Sequence, residues 1–455
     1  MKKLIATILV LSLCLSLWAY TYSDLNAMML GNNLNLLKAK EDVQTALLDY
    51  NDAKWGYSPT IDLTVTGSYL FNPIEAVTLQ KDQLMEFLGI GNIGSGLGDD
   101  YLTLYKGQEN MMYQFQLQIT QPVVTWGKIT NAVNLYRSIY NARTLQMVQM
   151  SEQNSTELQS RMAALVYLNQ IRNLLVEETA LADRLVNLSQ QAQVNGILLE
   201  LDVKDAMVQA SQLDVTLAQL DNQIDEQLRS VAKMCGLESL TMDQIELQPD
   251  EKKYLSVLNT DLERWEYRAT DQSRTTFQLL AKLEEIASIA NKIAGVSVNW
   301  KPDLALVATL GYSGSRFPLI ETDWYRQDSA NSTLTLALKA NVWDGGKAVR
   351  NVSRTESQKA SAALDTSLGK DEILEQLRSN YHNIELAKIK ITYYDDKVEA
   401  CMEKVKRQNE LLDAGAASET DLLKAEMELR AVKIERIQEL IGLSASYYVV
   451  SYLGS

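Results

Sequence analysis

The chain is poor in the residues that carry most catalytic and redox chemistry. It holds one histidine, His382, in 455 residues. A lone imidazole excludes a multi-histidine metal site and leaves little room for His-dependent acid–base catalysis. The three cysteines, Cys14, Cys235 and Cys401, are too widely spaced for a disulfide scaffold or a Cys-based zinc site. Cys235 and Cys401 fall on helical patterns and read as buried free thiols, with a mutual disulfide as the alternative. Basic charge is in deficit: 43 Lys+Arg stand against 58 Asp+Glu, a formal net charge of −15. That balance argues against general nucleic-acid binding, which needs a basic face. Prolines number six, and none lies in 123–248 or 319–455. Two long stretches are therefore free to run as continuous helix.

Long hydrophobic runs are missing except at the N-terminus. Lys2 and Lys3 precede an uncharged run from Leu4 to Leu17, followed by Trp18-Ala19. A basic start, an apolar centre and a small residue at the end describe a secretory signal peptide over 1–19. An uncleaved anchor is the competing reading, but the run is short for a bilayer span. Lipidation of Cys14 would want a small residue before it, and Leu13 stands there. Without Lys2 and Lys3 the net charge becomes −17. Hydrophobic residues make up 46% of the chain, so a folded product is expected.

What is present is a unit written twice. Trp126-Gly127-Lys128 recurs as the end of Trp343-Asp344-Gly345-Gly346-Lys347. Gly127 and Gly346 are 219 residues apart, as are Gly196 and Gly415, and Asp202 and Asp421. Upstream the offset is 243, matching Pro59 to Pro302 and Leu36-Leu37 to Leu279-Leu280. The difference lies in a glycine-rich stretch, Gly89 to Asp100, that the second copy lacks. Such self-similarity fixes the architecture before any motif is considered. Repeat one covers about 24–236 and repeat two about 261–455.

Each unit reads helix, strand, loop, strand, helix, helix. Strands are expected near 60–71, 112–123, 303–313 and 333–343, each with period-two alternation. Ile61, Leu63 and Val65 alternate with Asp62, Thr64 and Thr66, and Phe115, Leu117 and Ile119 with Gln114, Gln116 and Gln118. Leu334, Leu336, Leu338 and Val342 form the apolar side of the fourth strand. Long helices follow the glycine turns Gly127, Gly345 and Gly346 and stop at Gly196 and Gly415, in the position a C′ glycine takes. In the second copy Leu377, Ile384, Ile391, Val398, Val405 and Leu412 recur every seven residues with Tyr381 and Met402 alongside, a coiled-coil seam. The first copy is looser, with Ile171, Leu174, Leu181, Leu185, Leu188 and Ala192.

Strands of about ten residues suit a tilted transmembrane β-strand. A soluble sandwich is the alternative, but no other segment looks like a partner sheet. An open sheet edge is costly in a bilayer, so four strands need further copies of the chain. Three copies give twelve strands with the polar side lining a pore. Trp55, Trp126, Trp300 and Trp343 flank the strands at one end, where a membrane interface favours tryptophan; packing of the strand-to-helix junction is the other explanation. Loops 72–111 and 314–332 fall at the opposite, extracellular end.

These residues carry a resemblance. The strand starts Pro59-Thr60-Ile61-Asp62-Leu63 and Pro302-Asp303-Leu304-Ala305-Leu306 resemble the TolC family of outer-membrane efflux proteins. So do the Trp343-Asp344-Gly345-Gly346-Lys347 turn and Gly415 followed by Asp421-Leu422-Leu423. The resemblance covers the mature chain, 20–455. It implies a mainly α protein with a transmembrane β-barrel, trimeric and twelve-stranded, on a long α-helical coiled-coil tunnel in the periplasm. It implies an exit duct for a tripartite efflux pump or type I secretion system, with a periplasmic adaptor and an inner-membrane transporter as partners. The chain departs from the pattern where Trp126-Gly127 replaces a fuller Asp-Gly-Gly turn, and where Asn33-Leu34 stands for an Asn-Pro pair. Lys424 stands where a second acidic residue would complete a double ring.

Gly89-Ile90-Gly91-Asn92-Ile93-Gly94 fits a dinucleotide fingerprint by letter, but Gly96 and Gly98 follow it where a helix should open. It reads as a loop. No catalytic set, cofactor or metal is assigned, and the chain does not read as an enzyme. Asp202 and Asp421 are the residues of interest, with Lys424. Each Asp lies at the start of a returning helix, where it offsets the helix dipole; threefold symmetry would also gather these carboxylates round a periplasmic aperture. Gly196 and Gly415 are expected to be the tips that meet an adaptor. An envelope-structural or adhesive coiled-coil protein is the alternative function, and a periplasmic hydrolase a third.

Overall fold

The structure, a computed structural model, describes residues 19–89, 101–105, 107, 110–298, 301–314 and 330–454. The expected signal peptide, Cys14, Trp300 and most of the glycine-rich stretch lie outside the described residues. The chain divides into two compact units: 1–47 with 137–288 and 357–455, and 48–136 with 289–356.

In chain order the elements are α1 (Tyr22–Asn32), α2 (Leu34–Trp55), β1 (Thr60–Tyr69), β2 (Val77–Gln80), α3 (Lys81–Leu88), β3 (Tyr101–Tyr105) and β4 (Met111–Val124). Then come α4 (Lys128–Val194), α5 (Glu200–Cys235), α6 (Glu251–Leu255), α7 (Leu262–Ala269) and α8 (Thr275–Val298). The chain ends with β5 (Asp303–Gly314), β6 (Ala330–Lys339), α9 (Lys347–Asp413) and α10 (Glu419–Gly454). The duplication is metrical: α4 and α9 have 67 residues each, and α5 and α10 have 36 each. At 1.5 Å per residue the longer helices run about 100 Å.

The strand-bearing unit holds a four-stranded antiparallel sheet in the order β1-β4-β5-β6. Its register aligns Ile61 with Ile119, Ile119 with Ala308, and Ala308 with Leu334. One face is thus apolar across all four strands. The other carries Asp62, Gln118, Thr309 and Thr333 in one row. Ile61, Leu63, Val65, Leu310, Leu334, Leu336 and Leu338 are all exposed. A soluble sandwich would bury that face, so the sandwich reading fails. The fourth strand runs from Ala330 and ends at Lys339, so Val342 lies outside it. A small antiparallel pair, β2 with β3, lies within the loop 72–111, where the residue pattern predicts no strand.

The helical unit is built on two cores. In one, Leu25 and Met29 of α1 meet Leu158, Met162 and Leu165 of α4 and Val231 and Cys235 of α5. In the other, Leu377, Ile384 and Ile391 of α9 meet Leu443 and Val450 of α10, with Tyr254 and Val257. The heptad seam of α9 is present at those three positions, but Met402 is exposed and Cys401 is buried in its stead. In α4 the seam keeps Ile171 and Leu185, but elsewhere it sits one residue on from the expected places: Leu175, Ala182 and Ser189 are buried with Glu178, while Leu174, Leu181 and Leu188 are half-buried. The spacing is still four and three, but Glu178, Ala182 and Ser189 mask it in a hydrophobicity count.

Three Lys–Glu bridges join α9 to α10: Lys390–Glu439, Lys397–Glu435 and Lys404–Glu428. The lysines sit seven residues apart beside the seam, the flanking position that coiled coils use for ion pairs. The break between α1 and α2 needs no proline. Asn33 leaves the helical region at φ −63 and ψ 119, and its Oδ1 accepts from the Asn35 and Leu36 amides as a cap. Its Nδ2 donates to the Met234 carbonyl at 3.2 Å, closing the last turn of α5.

Candidate functional site

Both returning helices begin at the same kind of tip. At the first, Gly196 has φ +73 and Ile197 N–H donates to Ala192 O at 2.8 Å. At the second, Gly415 has φ +71 and Ala416 N–H donates to Leu411 O at 2.8 Å. These are two copies of one C-terminal cap, satisfying carbonyls the helix end would leave bare. Nothing lies within 4 Å of a β-carbon built on either glycine. Backbone conformation, not packing, therefore calls for glycine.

Past each tip an aspartate caps the returning helix. Asp202 Oδ2 accepts from the Leu199 amide at 3.0 Å. Asp421 Oδ2 accepts from the Ser418 amide at 3.1 Å and from Ser418 Oγ at 2.6 Å, while Ser418 Oγ accepts from the Asp421 amide. The second tip is a complete capping box and the first is half of one. Hydrogen bonds from Ser418 hold the Asp421 carboxyl below its ordinary range, with the Lys424 charge a smaller cause. No ion pair joins Lys424 to Asp421; Lys424 is exposed. The carboxylates are thus both helix caps and exposed negative charges.

Sequence reasoning missed the links between the two tips' helices. Arg184 of α4 pairs with Glu419, the first residue of α10. Arg430 of α10 reaches back to Glu177 of α4 at 3.1 Å. Arg172 of α4 holds Asp221 of α5 at 2.6 Å. No local pattern marks these pairs, because their partners are 49 to 253 residues distant.

The strand-to-helix turns also correspond. Gly345 and Gly346 have φ +68 and +78; in the first repeat Trp126 and Gly127 have φ +52 and +84. Trp126 thus occupies the left-handed position of Gly345, at a cost of about 1–2 kcal/mol. It is compensated locally: its Nε1 donates to Pro302 O at 2.8 Å, and Lys301 lies over its ring. Trp126 thus makes junction contacts while still 43% exposed, and Trp55 and Trp343 are more exposed, at 69% and 83%.

Elsewhere among the described residues little chemistry assembles. Cys235 and Cys401 are buried free thiols, and burial pushes the Cys235 thiol up to about 11. His382 is exposed and bonded to Glu385. Among the described residues no cluster of His, Cys, Asp or Glu is arranged to hold a metal, and no helix is long and apolar enough to cross a membrane. Residues 90–94 of the Gly89–Gly94 motif lie outside the described residues.

The sequence profile of the family described as outer membrane efflux protein matches residues 25–237 and 275–440. The chain belongs to the outer membrane efflux protein family. The match falls on both copies of the duplicated unit, and the family is one of transport channels. Solved outer-membrane channels share the TolC-like fold. VceC from Vibrio cholerae is 15% identical, with a TM-score of 0.70 over 95% of this chain and 96% of its own. The CmeC channel of Campylobacter jejuni is 12% identical, with a TM-score of 0.71 over 95% of this chain and 85% of its own. The open state of MtrE from Neisseria gonorrhoeae is 11% identical, with a TM-score of 0.66 over 95% and 89%. A comparison with curated protein sequences finds no match. This efflux protein is thus an outer-membrane channel of that family.

Proposed function

We propose that the chain acts as a homotrimer forming the exit duct of a tripartite efflux pump or type I secretion system. The observation that carries the reading is the sheet. Among the described residues its two outer strands, β1 and β6, each pair on one side only. Neighbours alternate in direction across β1-β4-β5-β6, so β6 of one copy is antiparallel to β1 of the next when the ring closes. Two copies would give eight strands, a barrel that side chains fill. Three give twelve, with the Gln and Thr rows inside and the leucine rows toward lipid.

The equal helices form a periplasmic tunnel about 100 Å long. Trp55 and Trp343 mark the periplasmic interface, and loops 72–111 and 314–332 the extracellular side. Equal helix lengths bring Gly196 and Gly415 to one rim, where a periplasmic adaptor contacts them and links the duct to an inner-membrane transporter. Asp202 and Asp421 ring the aperture three times over, making the closed end cation-attracting. Lys424 replaces a second acidic tier and leaves the ring single.

Envelope fractionation tests the reading. The protein is expected to need detergent for extraction and to run as a trimer. A protein released without detergent, or a monomer in mild detergent, would point instead to an envelope-structural coiled-coil protein.

A further inference from the structure

The second strand-to-helix junction carries two cations, Arg350 and Arg354, that the first does not, and its turn lysine has no carboxylate partner among the described residues. Lys347, Arg350 and Arg354 stand at i, i+3 and i+7 on α9, one face of its first two turns. They line an open cavity of about 570 Å³ with Asn341 and Asn351. The Arg350 guanidinium folds over Gly346, its Nη1 3.1 Å from where a β-carbon would stand. The single carboxylate at the cavity, Asp344, accepts the Ala348 amide at 2.8 Å as the helix cap. None of the three cations forms an ion pair among the described residues.

The other repeat shows that the fold does not need the two arginines. At the 219-residue offset the counterparts of Lys347, Arg350 and Arg354 are Lys128, Asn131 and Leu135. Lys128 is neutralised by Asp303 at 2.7 Å. Asp303 in turn corresponds, at the 243-residue offset, to Thr60, which offers no carboxylate. On ring closure Lys347 would meet Thr60 of the next copy and stay unpaired. Arg350 and Arg354 are therefore additions to this junction, and Lys347 is the turn lysine without the carboxylate that its counterpart has.

Their position identifies the ligand class. Val342 and Trp343 immediately precede them and are 87% and 83% exposed. Exposed apolar and indole surface directly before a basic cluster is the profile of a bilayer interface, where the phosphates lie at the level of the tryptophans. We propose that Lys347, Arg350 and Arg354 bind the phosphate of an anionic phospholipid in the inner leaflet, with Trp343 against its glycerol and upper acyl region. This rests on the membrane-duct reading above.

The test uses the full chain purified in detergent. Bound lipid is counted by native mass spectrometry after incubation with phosphatidylglycerol, with phosphatidylcholine of the same acyl chains, or with phosphatidylglycerol plus inorganic phosphate. Phosphatidylglycerol should be preferred by about ten-fold or more, and each cation removed should cost about five-fold. The triple variant Lys347→Gln, Arg350→Gln, Arg354→Gln should lose the preference, while Lys252→Gln, Lys253→Gln on α6 keeps it. Arg354→Gln alone, expected to show a partial loss, replaces the triple variant if that does not fold. Equal binding of the two lipids, or a preference that survives the substitutions, overturns the site. Displacement by inorganic phosphate overturns the lipid assignment and leaves a free-anion site. A wild-type protein that needs detergent yet ignores headgroup charge refutes the lipid site alone, whereas one released without detergent refutes the duct.

Discussion

Three of the glycines that end helices have nearly the same backbone: Gly196 at φ +73, Gly236 at φ +71 and Gly415 at φ +71. An alanine at any of them takes on the left-handed strain of an L-residue, about 1–2 kcal/mol. Their surroundings differ. Around Gly196 and Gly415 nothing stands within 4 Å of the new β-carbon, but at Gly236 it would lie 2.6 Å from Asn32 Cβ. Asn32 cannot simply withdraw, because its Nδ2 donates to Cys235 O at 3.4 Å and Asn33 beside it caps two helices. Overpacking of this kind adds about 1–3 kcal/mol. Gly196→Ala and Gly415→Ala should therefore lower stability slightly and equally, and Gly236→Ala clearly more. Apparent Tm of the detergent-solubilised protein, read by far-UV circular dichroism at one scan rate, gives the ranking; a fixed rate matters because such unfolding is irreversible. Equal losses at all three sites would show that the contact at Gly236 carries no energy and refute the separation of strain from packing.

Glu178 occupies a seam position of α4, and burial raises its carboxyl above the ordinary value, with Arg430 opposing. The folded state then holds the proton to higher pH than the unfolded state, so stability falls as pH rises from the unfolded to the folded pKa and stays lower above it. Glu178→Leu should raise stability at neutral pH by about 1–3 kcal/mol, with the gain shrinking on acidification, as thermal scans against pH would show. Asp421→Asn keeps an acceptor for Ser418 but removes charge, so bilayer recordings should show weaker block by multivalent cations from the periplasmic side. Asp202→Asn should do the same, and Lys424→Gln should strengthen the block. Because Ser418 depresses the Asp421 pKa, the block should persist to pH below the ordinary carboxylate range before protonation removes it. A block unchanged in all three variants would reduce these residues to helix caps. Bulky insertions beside Gly415 should abolish export yet leave trimer mobility intact; normal export would place the adaptor contact elsewhere.

What sequence shows here is whatever repeats at short range. Ile61-Leu63-Val65 and Leu334-Leu336-Leu338 disclose their strands because period two needs no partner to be seen. Leu377-Ile384-Ile391 discloses a seam for the same reason, and Gly196 and Gly415 disclose tips because a left-handed cap favours glycine. The seam of α4 is hidden because Glu178 and Ser189 hold positions that hydrophobicity assigns elsewhere. The break at Asn33 is hidden because a side-chain cap does the work expected of proline. Arg184–Glu419 and Arg430–Glu177 are invisible in principle, since each joins distant segments across the duplication. The excess of cations at Lys347, Arg350 and Arg354 is legible only by subtraction, once the repeats are aligned and Lys128 is seen to have Asp303.

The matched helices have a further consequence. With 67 and 36 residues in each repeat, the chain contains two rulers cut to the same length. Removing one heptad from α9 alone would retract its end by about 10 Å and leave it nearly two helical turns short of its twin. No single hydrogen bond or contact would register the mistake. Length is therefore inherited jointly: a change in α4 is tolerable only with its counterpart in α9, and α5 is bound to α10 in the same way. Natural variants of this chain should gain or lose helix in coordinated pairs, with unpaired changes confined to loops such as the stretch between β1 and β4.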